Sequence, residues 1–334
     1  MNNNASSGKA RSSALSAPLH CSSKRFFSQT VTVFVGVLAC AHLASAELII
    51  GLTTANQLTS FDSATPGSAG PTIAITGLVG GDTLVGLDRR PQFGPMNGLL
   101  YAFGVQGASG RIYTLNEITG VASLVSTLNV PVSIGPNPTD FGIDFNPTVD
   151  RLRIVSDLDQ NLRANVDTGV TLVDTPLAYA TGDPNFGNDP NVVAVAYSNN
   201  FGGATTTTLR DLDSRADILA TQVPPNNGTL NTQFPLGVNF GGLAGYDISG
   251  LTGIPYASLI VEGATTSGFY TIGGGGATLV GSVIGPQGVP LTLRDIAAPV
   301  GTPVPEALSP FFGALILAGT VLAGSFCRRR YAAA

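Results

Sequence analysis

The chemistry that this sequence offers is carried by aspartates at the ends of short apolar segments. Four such segments end in Asp88, Asp144, Asp247 and Asp295, and a fifth ends in Ser198. If these segments are the innermost strands of a ring, the four carboxylates converge and repel each other unless a cation, an arginine or backbone amides compensate them. Two interpretations follow. The carboxylates bind Ca²⁺ or a cationic ligand, or each accepts backbone hydrogen bonds in a turn and fixes the spacing of the modules.

A second candidate ion site is the run Asp157, Asp159 and Asn161, which alternates oxygen-bearing side chains as the start of a Ca²⁺-binding loop does. Leu162 stands where such a loop has glycine, and Thr168 stands where it has its closing glutamate. The sequence therefore favours a polar hairpin turn over a complete calcium loop.

Arginines and carboxylates also keep a carbohydrate-active function open. Arg151 and Arg153 alternate along one predicted strand and so share a face. They could hold an acidic sugar, and pairing with Asp150 or Asp157 is the simpler expectation. A glycosidase needs two carboxylates about 5 to 10 Å apart across a cleft, so this hypothesis depends on how the fold places them.

The central part of the chain lacks the side chains that most enzymes use. Residues 47–300 contain no His, Lys, Cys or Trp, which excludes catalytic triads, Schiff bases and zinc, copper or iron sites there. The same range carries 20 acidic residues against 9 arginines, a net charge of −11. Nucleic-acid binding is not expected, because it needs clustered cations. No cofactor is predicted, and Ca²⁺ is the one ion considered.

Repeated hairpins must position these residues. The 334-residue chain has 42 Gly and 22 Pro, and its central part reads as short β-rich runs separated by turns. One pattern recurs, in which a strand is followed by a turn rich in Asp, Thr and Gly and then by a second strand. Its copies begin at Asn56, Arg111, Asn161, Thr206 and Gly268. Their spacing of about 45 to 60 residues is typical of four-stranded propeller blades.

The first and last repeats are incomplete in complementary ways. The first hairpin has no apolar segment before it, and the last segment, residues 291–297, has no hairpin after it. Pairing the two closes the ring and leaves no open sheet edge. The predicted fold is therefore an all-β, five-bladed propeller closed by its N- and C-terminal strands. Six blades or a pair of β-sandwiches are the alternatives.

The N-terminal residues 1–46 are predicted to be an export signal. Lys24 and Arg25 precede a short apolar run, and small residues precede the predicted cleavage between Ala46 and Glu47. The apolar run is shorter than the roughly 20 residues that a membrane span requires, so we expect removal rather than retention.

The C-terminal residues combine a short motif, an apolar segment and a run of arginines. A linker, residues 301–310, contains Val304, Pro305 and Glu306, and residues 311–334 contain an apolar segment followed by Arg328, Arg329 and Arg330. This arrangement resembles the PEP-CTERM sorting signal of Gram-negative bacteria. The resemblance implies anchoring in the inner membrane, processing by an exosortase-like enzyme and sorting to the cell surface. Ala307 replaces the second proline of the motif, and a plain membrane anchor is the alternative.

The central segment contains four runs that together form a signature, namely residues 142–147, 150–155, 160–163 and 165–169. They resemble the bacterial domain-of-unknown-function family 4394, and the likeness extends from about residue 48 to residue 298. It implies a secreted, propeller-like domain and supplies no catalytic residues.

The chain is thus expected to contain a signal peptide (1–46), a propeller domain (47–300), a linker (301–310) and a sorting segment (311–334). The predicted function is that of an exported, non-enzymatic binding or scaffold module of the cell envelope or extracellular matrix. Exopolysaccharide or surface proteins are its expected partners. The competing hypothesis is a carbohydrate-active enzyme with paired carboxylates and dependence on Ca²⁺.

Overall fold

Short β-strands account for the whole fold. The computed structural model describes residues 46–302 except residue 93 and residues 137–138, and these residues form 21 strands, four short 3-10 helices and no α-helix. The strands are β1 (Leu48–Thr53), β2 (Gln57–Asp62), β3 (Ile73–Ala74), β4 (Thr83–Arg89), β5 (Leu100–Gln106), β6 (Ser109–Leu115), β7 (Ala122–Thr127), β8 (Phe141–Asn146), β9 (Arg151–Ser156), β10 (Asn161–Ala164), β11 (Thr171–Val173), β12 (Ala178–Tyr179), β13 (Val192–Tyr197), β14 (Leu209–Asp213), β15 (Ile218–Gln222), β16 (Thr229–Pro235), β17 (Phe240–Ile248), β18 (Pro255–Val261), β19 (Gly268–Gly273), β20 (Gly276–Ser282) and β21 (Leu293–Ala297). The 3-10 helices are Pro66–Ser68, Gly94–Met96, Pro225–Asn227 and Pro286–Gly288.

The strands form five sheets around a common axis. Their orders are β21-β1-β2-β3 (blade 1), β4-β5-β6-β7 (blade 2), β8-β9-β10-β11 (blade 3), β13-β14-β15-β16-β12 (blade 4) and β17-β18-β19-β20 (blade 5). The first strand of each order contacts the first strands of the two neighbouring blades, which makes a closed inner circle. The prediction of a five-bladed propeller is confirmed, and the six-bladed and sandwich alternatives are wrong.

Blade 4 departs from the predicted repeat. The hairpin predicted from Thr206 forms the second and third strands of its blade, β14 and β15, rather than the outer pair. The chain turns back through β16, and the short strand β12 joins β16 in parallel, with Ala178 opposite Thr229. This blade is therefore wider than the others, and the connection that enters it supplies its outer edge.

The two ends of the described chain close the ring. β1 pairs antiparallel with β21, with Ile50 opposite Ala297, which confirms the predicted closure and removes an open edge. Glu47, directly before β1, is buried and accepts hydrogen bonds from two side chains of blade 5. The donors are the hydroxyls of Ser249 (2.6 Å) and Thr252 (3.2 Å). The start of the propeller is therefore fastened to both its first and its last blade.

Apolar packing between blades holds the inner strands in place. Every residue of β13 is buried, whereas most residues of the outer strands β7, β11 and β20 are half-buried or exposed. Between blades 2 and 3, Tyr101 packs edge-to-face on Phe145, with ring centroids 5.3 Å apart, and such a pair contributes about 0.5–1.5 kcal/mol beyond its buried area. Gly142 lets β8 approach β13, because a Cβ there would lie 2.8 Å from the backbone of Ala194. The inner strands are thus packed closely enough to fix the side chains at their ends.

The predicted leader and sorting motif lie outside the described residues, apart from the first residues after the cleavage site and the first two of the linker. Within the part of the chain that the structure describes, no helix combines the length and the hydropathy needed to cross a membrane.

Candidate functional site

Four aspartates on the inner strands lie near the axis, as predicted, and we call them the carboxylate ring (Asp88, Asp144, Asp247 and Asp295). Carboxylate oxygens of Asp88, Asp144 and Asp247 lie within 4.8 Å of one another, and each of these residues is only 1% exposed. Asp295 is also buried but lies outside this group of three. Ser198, in the fifth position, accepts a hydrogen bond from the amide of Thr208 in its own blade (2.9 Å). The ring is therefore incomplete at blade 4.

Three of the four carboxylates bind backbone amides across a blade boundary. The amides are those of Leu87 to Asp295 (2.9 Å), Phe145 to Asp88 (2.7 Å) and Ala298 to Asp247 (2.6 Å). In each case the other oxygen accepts the amide of the following residue on its own strand, at 2.6–2.8 Å. These hydrogen bonds connect blade 1 to blade 2, blade 2 to blade 3 and blade 5 to blade 1. The interpretation of blade-spacing carboxylates fits these three residues.

Asp144 is the exception. Both of its carboxylate oxygens are buried and have no partner with hydrogen-bond geometry among the described residues. The backbone amide of Tyr197, on blade 4, lies close enough only to oppose the rise of its pKa. Burial and then the charges of Asp88 and Asp247 raise the pKa of Asp144 well above its usual range, and burial likewise raises that of Asp88. Burial raises the pKa of Asp247 to about 7, although the amides of Ala298 and Ile248 oppose this shift. The three converging carboxylates therefore carry a negative charge that backbone amides and the charge of Arg89 offset only in part when they are ionised.

Arg153 is the arginine nearest to Asp144 in the strand pairing, but its hydrogen bonds go to a different group of residues. Arg153 lies opposite Asp144 on the neighbouring strand β9, and so shares its face of the sheet. It nevertheless donates elsewhere, to Tyr197 (3.3 Å), Asn161 (2.6 Å), Asp174 (2.7 Å) and Asn226 (2.9 Å), which together with Arg153 we call the arginine cluster. Each side-chain nitrogen of this buried guanidinium has a partner.

The predicted pairing of Arg153 with Asp150 or Asp157 is wrong. Asp174, which follows β11, takes the place expected for Asp150 or Asp157. Asp150 is instead bound by Arg90 of blade 2 at 2.6 Å. Arg151 donates to the backbone carbonyl of Asp150 (2.7 Å). Both arginines are therefore committed to the protein itself.

The second candidate ion site does not bring its three residues together. Asn161 faces the arginine cluster, where its oxygen accepts from Arg153 and its amide donates to the carbonyl of Thr175 (3.0 Å). Asp159 faces Asp189, and burial together with that charge raises its pKa to about 6. Burial also raises the pKa of Asp157. Residues 157–160 form the turn between β9 and β10, as the simpler interpretation predicts.

A surface pocket on blade 4 was not indicated by the sequence patterns. It has a volume of about 430 Å³, and the side chains that line it include Tyr179, Asn185, Asn188, Asp189, Asp213 and Arg215. We call it the blade 4 pocket. Phe186, within the same loop, is 59% exposed. The run of Asn, Asp, Gly and Phe in residues 181–190 was the available signal, since such loops commonly carry binding residues.

The floor of the blade 4 pocket is built by hydrogen bonds to Asp213. Its carboxylate accepts from the hydroxyl of Tyr179 (2.5 Å) and from the amides of Asn191 (3.0 Å) and Arg215 (2.8 Å). The rim is polar and exposed, with Arg215 paired to Asp189 at 2.5 Å. The pocket therefore combines a rigid base with accessible hydrogen-bonding groups.

Several solved structures resemble the chain at low sequence identity. Regucalcin, a calcium-binding protein of Agrobacterium tumefaciens, is 12% identical with a TM-score of 0.39, and the alignment covers 64% of each chain. A protein of unknown function from Bacteroides thetaiotaomicron is 14% identical with a TM-score of 0.43, covering 76% of this chain and 66% of that one. The Dos1 propeller is 11% identical with a TM-score of 0.36, covering 70% and 60%. The chain thus spans slightly less than two thirds of the length of these structures, and the likeness concerns the fold alone.

Sequence comparison identifies the family. No curated protein matches the chain. The model of the family described as "Domain of unknown function (DUF4394)" matches residues 57–297, which is well over half of the chain and agrees with the resemblance found in the sequence. The chain belongs to this family of proteins with a domain of unknown function.

Proposed function

We propose that the protein is an exported, non-enzymatic propeller that binds a glycan of the cell envelope or extracellular matrix. The observation that carries this proposal is the burial of the carboxylate ring. Three of its four members are bound to backbone amides of the next blade, and a polysaccharide has no access to side chains that are 1–5% exposed. The converging acids thus serve the architecture, and contact with a partner falls to the outer surface.

The chain ends support the cellular part of the proposal. The leader that ends at Ala46 would direct export, and an exosortase-like enzyme would process the segment after Val304, Pro305 and Glu306. Until then, the apolar segment and the C-terminal arginines Arg328, Arg329 and Arg330 would hold the protein in the inner membrane. The absence of His, Lys and Cys between residues 47 and 300 suits a protein that binds a partner rather than one that catalyses a reaction.

The blade 4 pocket is the surface that fits a sugar best. Phe186 does not line the pocket itself, but it lies between the lining residues Asn185 and Gly187 and offers an exposed apolar ring against which a sugar can pack. Asn185 and Asn188 supply amides that can donate to and accept from hydroxyls, and Asp189 supplies a carboxylate acceptor. A few convergent polar groups beside an apolar surface are typical of ligand sites.

The test is retention of the full-length chain, purified in mild detergent, on immobilised polysaccharides of neutral and acidic composition. We expect the double substitution Phe186→Ala and Asn188→Ala to weaken retention at least about tenfold, since stacking and hydrogen-bonding groups are both lost. Ile118→Ala is the matched control, because Ile118 is 85% exposed in a turn of blade 2. Equal retention of the double variant and wild type, or no retention of wild type on any polysaccharide, would contradict the proposal.

Hydrolysis of the same polysaccharides decides between binding and catalysis. Asp159 and Asp189 adjoin the blade 4 pocket, and the pKa of Asp159 near 6 would suit a general acid. Product formation that disappears in Asp159→Asn or Asp189→Asn, with folding retained, would replace the binding module by an enzyme. We expect no product from wild type or from either variant.

A further inference from the structure

The carboxylate ring leaves one buried charge without a partner from the protein. Asp88 and Asp247 each accept two backbone amides, whereas neither oxygen of Asp144 accepts any hydrogen bond among the described residues. An unpartnered ionised carboxylate is costly to bury, because it loses its hydration without compensation. Something other than the described side chains must therefore stabilise Asp144.

The two described arginines that adjoin Asp144 and Asp88 along the strands bind other residues. Arg153, directly opposite Asp144, is bound by Asp174, Asn161 and Asn226. Arg89, which follows Asp88, is paired through both terminal nitrogens with Glu117 at 2.6 and 2.7 Å. Residues 47–300 contain no lysine or histidine. These two arginines are thus held by other partners.

We propose that Asp144, with Asp88 and Asp247, binds one Ca²⁺ ion on the axis of the propeller. Asp144 contributes its two unpartnered oxygens, and each of the other two residues contributes an oxygen that still has a lone pair after accepting its backbone amide. The ion joins blades 2, 3 and 5 at their innermost strands. This inference is independent of glycan binding at the blade 4 pocket.

The ligand chemistry favours Ca²⁺ over other metals. All three ligands are carboxylates, which suit hard cations rather than zinc or copper. Opposite ligands of a Ca²⁺ ion lie about 4.6–5.2 Å apart, so oxygens within 4.8 Å of one another can surround one ion. Mg²⁺ demands a smaller octahedral set and usually retains several waters, which suits this enclosed position less well.

The experiment uses the full-length chain in mild detergent after treatment with chelator. We expect added Ca²⁺, at about a hundredfold excess over its Kd, to raise Tm by about 5 to 10 °C, and Mg²⁺ at the same concentration to raise it less. Tb³⁺, used as a Ca²⁺ substitute, should give tyrosine-sensitised luminescence that saturates at one ion per chain. The chain has no Trp, and Tyr246 directly precedes Asp247.

Asp144→Asn should weaken Ca²⁺ binding by a factor on the order of ten or more, because affinity depends on the number of charged ligands. Asp211→Asn is the matched control. Asp211 is also fully buried with both carboxylate oxygens unpartnered, but it lies outside the group of three. Its substitution should leave the response to Ca²⁺ unchanged. A second variant, Asp144→Ser, places at this position the residue that blade 4 already carries as Ser198.

Three results would overturn the proposal. They are the absence of saturable Ca²⁺ or Tb³⁺ binding in wild type, full Ca²⁺ affinity in Asp144→Asn or Asp144→Ser, and equal loss of affinity in Asp211→Asn. If neither Asp144 variant folds, the wild-type Tb³⁺ titration decides. One site per chain from which Ca²⁺ displaces Tb³⁺ supports the proposal, and any other stoichiometry contradicts it.

Discussion

Two buried charges on the same face of blade 3 are treated in opposite ways. Arg153 lies in the arginine cluster, where each of its side-chain nitrogens donates to a neighbour. Asp144 lies opposite it on the adjacent strand and accepts nothing. The two residues are equally buried, at 1% exposure each. Their difference therefore reflects the partners that the fold supplies and not their access to water.

The fold compensates a buried charge where several loops supply hydrogen-bond partners for it. Asp174 and Asn226 come from turns after β11 and β15, and both reach Arg153. Among the described residues, only the backbone amide of Tyr197 approaches Asp144, and it does so without hydrogen-bond geometry. Arg153 has a complete set of partners and is therefore a structural residue. Asp144 lacks such partners and therefore requires an external cation or a proton.

The largest effect is expected from breaking the arginine cluster. Arg153→Met leaves Asn161 buried without its cation, and Asp174 keeps only its pair with the partly exposed Arg163. Removal of one partner from a buried pair costs about 3–5 kcal/mol of unfolding free energy, and the remaining pair places the expected loss at the lower end. Urea denaturation measures this cost. Arg215→Met is the control, since the side chains of its pair with Asp189 are 51% and 68% exposed, and such pairs contribute at most about 1 kcal/mol. Equal losses of unfolding free energy in the two variants would mean that the buried arginine cluster stabilises the protein no more than an exposed ion pair does.

A smaller effect should separate two members of the carboxylate ring. In the presence of chelator, we expect Asp247→Asn to be about 2 kcal/mol less stable than Asp144→Asn. Asparagine has one acceptor oxygen where Asp247 serves the amides of Ile248 and Ala298, so one buried amide loses its acceptor. Asp144→Asn loses no hydrogen bond and reduces repulsion. Thermal and urea unfolding of both variants provide the comparison, and a more stable Asp247→Asn would contradict it.

The smallest effect concerns Asp140, which is intermediate between the two cases. Burial and the charge of Asp157 raise its pKa to about 6, although Arg294 acts in the opposite direction. The folded state therefore holds a proton that the unfolded chain, with a pKa of 3.8 for this group, has released. The contribution of Asp140 to stability is complete below pH 4 and is lost as pH rises through 6.

We expect wild type to lose about 1 to 2 kcal/mol more than Asp140→Asn between pH 4 and pH 7, from urea denaturation at both values. Asp62→Asn changes an exposed carboxylate of blade 1 and should keep the wild-type dependence on pH. A wild-type slope in Asp140→Asn would show that the neighbouring arginine compensates this carboxylate fully.

The architecture was predictable because it repeats. Hairpins beginning at Asn56, Arg111, Asn161 and Gly268 became the outer parts of four blades, and the incomplete first and last repeats indicated the closure between β1 and β21. The wider blade 4 was missed, because β12 is a two-residue strand whose pairing is parallel and distant in sequence. Local patterns contain little information about such a contact.

The site was predictable only in part. The position of the carboxylate ring followed from aspartates at the ends of similar segments, and glycine two residues before Asp88, Asp144 and Asp247 was an additional signal of close strand approach. The isolation of Asp144 was not predictable. It depends on Asp174 and Asn226 reaching Arg153 from loops, and loop conformation is not encoded in a short periodic pattern.

The pairing of β1 with β21 also governs when the molecule can be completed during its synthesis. The ribosome produces β1 near the start and β21 about 240 residues later, so blade 1 stays unfinished while the other four blades are being made. Pairing over so long a separation in sequence is slow, because the entropic cost of closing the loop is incurred before the contacts between the paired strands can offset it. The ring of the nascent chain therefore remains open until almost all of the propeller has been translated.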